Sequence, residues 1–183
     1  AGEGSTMERD YAWTSRRHFE DLESPYKIAR EAAERTLKKL NPRKAETCEI
    51  PVVYDPRVSR TLIGHLAGAI NGTSIARGTS FLLEMMDKQI FPENINITDN
   101  PHILRGPSSR PFDGEGVKNA PLAITQQGML RNWVLDSTSA RQLDLVSNGR
   151  ASRGTSSPPS PSTTNLFMEA GSISAKDLIS DIK

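Results

Sequence analysis

The 183-residue sequence holds a single cysteine, Cys48. That excludes an internal disulfide and a multi-cysteine zinc site, and it fits a reducing compartment. Cys48 precedes a run that reads as a buried strand, so an inert thiol is the simpler reading than a nucleophile. No apolar run approaches the roughly 18 residues a membrane span needs. The opening, AGEGSTMERD, has neither the basic nor the apolar region of a leader peptide, and it begins on Ala1. Formal net charge is only +1, which leaves no basic excess for a nucleic-acid surface. Walker and Rossmann glycine patterns, G-x-S-x-G and H-E-x-x-H are all missing. The three histidines, His18, His65 and His102, are far apart and have no ligand partner at helical spacing.

What is present is an alternation of short helical and strand patterns. Residues 7–13 suggest an exposed strand. Ser24-Pro25 opens a helix with apolar residues at helical spacing, closed by Asn41-Pro42. EIPVVY, residues 49–54, reads as a buried strand. Asp55 and Pro56 then cap a helix running to about Gly72. Its apolar face is Val58, Leu62, Ile63, Leu66, Ala69 and Ile70, while Gly64, Gly68 and Gly72 form a second line four residues apart. Three interior glycines cost about 3 kcal/mol relative to alanine, so the line is expected to admit something close to the backbone, either a ligand or a packed element. Thr79 or Ser80 suggests a cap for a short helix over 81–86. Residues 95–98 suggest a strand, and 122–125 with 129–135 a hairpin around Gln126-Gln127-Gly128. Asp136-Ser137 caps a helix through Leu143. Residues 99–121 read as a long loop. Residues 148–164 (NGRASRGTSSPPSPSTT) read as a surface loop or disordered linker. Residues 166–168 form a strand, and Ser174 opens a last helix.

Candidate chemistry is sparse. A lone His65 beside a glycine line is more often a packing residue than a ligand. Asp113 and Glu115 in PFDGEG could hold a cation or pair with arginine, against the plainer reading of a solvated turn. Arg105, Arg110, Arg150 and Arg153 lie in loops and could bind a carboxylate or phosphate, against the plainer reading of solvated surface. No nucleophile–base pair is evident, so a peptidase of non-zinc chemistry has no support.

The runs RTLIGHLAGAINGTSIARGTSF, INITDNPH, SRPFDGEGV, GMLRNWVLDSTSARQL and GRASRG…PSPSTTNLFMEAG resemble the TldD/PmbA family, in the same order and over residues 7–171. The family is also known as the modulators of DNA gyrase, and its PmbA branch as TldE. The resemblance implies an α+β fold, a mostly antiparallel sheet packed with a few helices, as an incomplete C-terminal domain. Residues 1–20 would be an N-terminal strand or connector, and 21–183 part of that domain. It also implies a cytoplasmic TldD/TldE heterodimer that acts as a metallopeptidase on unfolded or short peptides. The TldD-type subunit carries zinc on H-E-x-x-x-H. Aligned on Leu62, Gly68 and Gly72, the two metal histidines fall on Gly64 and Ala69, and the catalytic glutamate falls on His65. The resemblance is therefore to the PmbA/TldE branch, with no catalytic residue, metal ligand or cofactor in this chain and zinc in a TldD-type partner.

On this reading the glycine line packs on a strand of the same domain, Arg77, Asp113 and Glu115 lie with His65 near the degenerate site and face peptide or partner, and the helix bears an empty pocket. The alternative is a regulatory or scaffold protein acting on DNA gyrase or another client without proteolysis. Neither reading calls for nucleic acid or membrane. Relative to the family, the chain lacks an N-terminal domain and the last strands of the C-terminal one. Unpaired strand edges would then favour a homo-oligomer or aggregation.

Overall fold

The computed structural model describes residues 1–182, in two compact units divided between Pro51 and Val52. In the first unit, Ser24 caps α1 (Pro25–Lys38) by accepting from the Lys27 amide. The cap and Pro25 at the first helical position explain its start. Arg30 and Glu34 pair one turn apart, and hydrogen bonding to Arg30 together with its charge holds the Glu34 carboxyl below its ordinary value. No α1 side chain is fully buried. Residues 7–13 form no strand; short 3-10 turns at Gly4–Thr6 and Phe19–Asp21 are the only other regular structure of this unit among the described residues.

The second unit holds the core. Helix α2 (Pro56–Ala69) starts at Asp55, whose side chain accepts from the Arg57 amide. A break at Ile70-Asn71 separates it from α3 (Gly72–Ala76). β1 (Ile97–Asp99), β2 (Leu122–Gln126) and β3 (Met129–Leu130) follow, then α4 (Ser137–Gln142). β4 (Ala151–Ser152) pairs antiparallel with β5 (Ser160–Pro161), and β6 (Leu166–Met168) and α5 (Ala175–Ser180) complete the unit. The main sheet is antiparallel with strand order β3-β2-β1-β6. This is an α+β fold. Leu66, Ala69 and Ile70 pack with Leu82, Ile97, Ile124, Leu130 and Val134 as the apolar core.

Several sequence expectations are corrected here. Residues 49–54 form no strand and all are exposed; among the described residues no strand pairs with them, and an extended segment without a partner gains no ladder bonds. Val58 and Leu62 are each 51% exposed, so only the C-terminal half of the α2 apolar face is core. Residues 81–86 turn instead of coiling. Ser80 Oγ accepts from the Leu82 amide and donates to the Ala69 carbonyl, tying the turn back to α2.

The hairpin forms as expected, with Gln127 and Gly128 at φ +50° and +72°, the primed turn that matches strand twist. Its second arm is shorter than expected, because Val134 leaves to bridge Asn71. Residues 148–164 are not a surface linker throughout: Gly149, Arg150, Ala151, Pro161 and Thr164 are buried. The stretch buries polar groups that find partners, which composition alone does not reveal.

Candidate functional site

The glycine line of α2 divides. A Cβ built at Gly64 or Gly68 would meet nothing within 4 Å, so neither packs on a strand as expected. At Gly72 it would lie 2.6 Å from Ser139 Oγ and 2.8 Å from both Leu135 Cδ2 and the Val134 carbonyl oxygen. The Gly72 amide donates to that carbonyl at 2.8 Å, and the Val134 amide donates to the Ile70 carbonyl at 2.9 Å. Close approach is thus real at Gly72, where the chain leaves one helix and begins the next. Asn71 fastens the corner: its Oδ1 accepts from the Thr73 amide and its Nδ2 donates to the Pro161 carbonyl.

The three positions matched to the zinc motif do not converge. Gly64 and His65 are exposed, whereas Ala69 is buried in the core. His18 and His102 are exposed as well. Among the described residues, no three His, Cys, Asp or Glu side chains gather as a metal ligand set. The residues present do not fit a zinc ion. Arg77 caps the C-terminus of α3 and is exposed.

Asp113 and Glu115 are brought together with α4 and β4. Asp113 is 4% exposed, and its carboxylate is spent on backbone. Oδ1 accepts from the Glu115 and Val117 amides, and Oδ2 accepts from the Ala151 amide, each at 2.9 Å. Glu115 Oε2 accepts from the Ser137 amide at the start of α4. Both acids shape loops, and Gly114 between them admits Arg153 closely, 3.0 Å from a Cβ built there.

The residue constellation that sequence reasoning missed is a buried ion pair. Arg150 and Asp99 have fully buried side chains, with Arg150 Nε donating to Asp99 Oδ2 at 2.5 Å. Arg150 Nη2 donates to the carbonyls of Ala120 and Asp99, and Nη1 to that of Asn148. Thr164 completes the carboxylate: its amide donates to Oδ1 at 2.7 Å and its hydroxyl to Oδ2 at 2.9 Å. A dry charge pair is tolerated only when its remaining donors and acceptors are met in this way. The pair joins the sheet to the 148–164 stretch, and its two side chains face one another with none of their surface open to substrate. The signal available in sequence was an arginine flanked by Gly149 and Ala151, small residues that let backbone close around it.

No helix among the described residues is long and apolar enough to cross a membrane. A family model described as the PmbA/TldA metallopeptidase C-terminal domain matches residues 47–183. Metalloprotease PmbA of Escherichia coli O157:H7 is 45% identical over 151 residues, which cover 82% of this chain and 34% of that protein. A crystal structure from Bacteroides thetaiotaomicron, provisionally described as a modulator of DNA gyrase, matches with a TM-score of 0.80 at 26% identity, covering 92% of this chain and 36% of that one. TldE from Thermococcus kodakarensis matches with a TM-score of 0.73 at 23% identity, covering 84% and 36%; that likeness speaks to fold alone. The chain spans about a third of the length of the curated relatives it matches.

Proposed function

From the chain's membership of the PmbA/TldD metallopeptidase family, we propose that it is a non-catalytic, PmbA/TldE-like subunit of a cytoplasmic peptidase complex acting on unfolded peptides. The observation that carries this reading is helix α2. It keeps its cap and its core contacts, yet offers Gly64, His65 and Ala69 at the positions matched to the zinc motif, two open and one buried. No water can be activated there by a metal the residues do not hold. Zinc and the hydrolytic step belong, on this reading, to a TldD-type partner, and this chain supplies walls for the peptide. Arg77 and the open side of α2 around His65 are available to that peptide or partner; Asp113 and Glu115 act at one remove, by fixing the loop between β1 and β2.

Two measurements test the proposal. Elemental analysis of the purified chain is expected to find zinc far below one equivalent; stoichiometric zinc in this chain alone sinks the reading. Mixed with a TldD-type protein, the chain is expected to co-purify and to support peptide cleavage that a chelator stops. Cleavage by this chain alone, unaffected by the chelator, would argue for a different chemistry.

A further inference from the structure

Asparagine is followed by glycine twice, at Asn71-Gly72 and Asn148-Gly149. Such a step carries its own chemistry. The glycine nitrogen can bond to the asparagine Cγ while the Cγ–Nδ2 bond breaks. The nitrogen's proton leaves with Nδ2 as ammonia, and a succinimide ring remains. Water then opens the ring at either carbonyl, giving aspartate or isoaspartate. Glycine makes the step easy, because no Cβ shields the attacking nitrogen.

The fold holds both steps still, and by the same device. At Asn148, Oδ1 accepts from the Leu135 amide at 2.9 Å and Nδ2 donates to the Trp133 carbonyl at 2.7 Å. At Asn71, Oδ1 accepts from the Thr73 amide at 3.0 Å and Nδ2 donates to the Pro161 carbonyl at 2.9 Å. Ring closure requires each side-chain amide to turn towards the next backbone nitrogen, which breaks both of its bonds. The two nitrogens are engaged as well. The Gly72 amide donates to the Val134 carbonyl at 2.8 Å, and the Gly149 amide to Ser147 Oγ at 3.3 Å. Both glycines are buried.

The products do not fit where the reactants do. Ionised aspartate only accepts hydrogen bonds. At 148 or 71 it would set a carboxylate oxygen against the Trp133 or Pro161 carbonyl, where a donor now stands. Isoaspartate lengthens the main chain by a carbon just before the glycine. A Cβ built at Gly72 already lies 2.6 Å from Ser139 Oγ, and one at Gly149 lies 2.7 Å from the Lys118 carbonyl oxygen. Neither corner has room for a longer chain.

We propose that Asn71 and Asn148 are latent deamidation sites, closed while this unit is folded and open whenever it unfolds, so that the reaction turns a reversible unfolding into a permanent one. The side-chain contacts that hold the two residues all lie between Asn71 and Pro161, and none depends on the peptidase reading.

The test holds the full chain in mildly alkaline buffer, either native or unfolded in guanidinium chloride. Peptide mapping by mass spectrometry follows Asn71 and Asn148 with time, and a methyltransferase specific for isoaspartate marks that product. Both residues are expected to convert in the denaturant, and to convert about a hundredfold or more slowly in the native chain. After dilution from denaturant, size exclusion separates refolded from unrefolded chains, and isoaspartate at either position is expected in the unrefolded fraction. Asn71→Asp and Asn148→Asp carry the other product and are expected to lower the denaturant midpoint. Conversion that is equally fast in the two states at either residue, or absent from both, overturns the proposal. So do isoaspartate-bearing chains that refold with the unmodified midpoint, or Asp variants that keep it. Where the unmodified chain does not refold, the comparison of rates decides.

Discussion

Arg150 and Asp99 show how much of this domain depends on two side chains with no solvent contact. Arg150→Met leaves the Asp99 carboxylate buried without its countercharge, and is expected to cost about 3–5 kcal/mol, read as a fall in the urea midpoint. Replacing both partners by apolar residues is expected to recover much of that loss, because no uncompensated charge remains. The glycines give a contrast within one line of sequence. Gly72→Ala pushes a methyl into Ser139, Leu135 and the Val134 carbonyl and is expected to destabilise by about 1–3 kcal/mol. Gly64→Ala meets open space in a helix interior and is expected to stabilise by about 0.5–1 kcal/mol. Thermal denaturation of the two variants checks the opposite signs. Neither the ion pair nor this contrast was legible in the sequence. Arg150 sits in a Ser, Gly and Pro-rich stretch, and its partner is 51 positions away. The three glycines look alike until their neighbours are known.

Helices α1, α2, α4 and α5 and the β2–β3 hairpin were legible because their signals are local. A capping side chain, a proline in the first turn or a Gln-Gly turn acts within a few residues. Asp136 is the strongest of these caps. Its Oδ1 accepts from the Ser139 amide at 2.7 Å and from the Ser139 hydroxyl at 2.6 Å, and that hydroxyl oxygen accepts from the Asp136 amide. Asp136→Ala is expected to cost about 1–2 kcal/mol and to lower the melting temperature without changing the sheet signal in circular dichroism. Strands were less legible. β1 exists because it pairs with both β2 and β6, whereas 49–54 has a better strand composition and, among the described residues, no strand partner. The helix suggested over 81–86 lost to a tether: Ser80 bonds back to α2 and closes a turn.

At the scale of the whole chain, the two units join through residues that are exposed from Asn41 onward and carry no helix or strand up to Asp55. Trypsin is expected to cut first at Arg43 or Lys44, which are exposed, releasing a fragment that contains α2 and all the strands. Mass spectrometry of a short digest identifies the cut. First cleavage after Arg150, whose side chain is fully buried, would contradict the burial described for unit two. The site was legible only through the family resemblance, which implies a loss: Gly64, His65 and Ala69 would stand where the family motif has ligands and a base. That two of these positions face outward and the third faces the core needed the fold, and so did the structural employment of Asp113 and Glu115.

The guanidinium of Arg150 also bears on when this domain forms, not only on how stable it is. Its partners at Asp99 and Ala120, with Thr164 behind them, are 51, 30 and 14 positions away from it along the chain. Both charges must shed water before they gain these bonds, and loop closure must bring the distant segments together first. The knot is therefore expected to close late, after β1 and β2 have paired. Interactions absent from the transition state govern how fast a protein comes apart more than how fast it assembles. Arg150→Met is accordingly expected to steepen unfolding rates in a stopped-flow series and to leave the refolding limb nearly where it was. A single late-closing bond set would then act as the clasp that sets the lifetime of the folded domain.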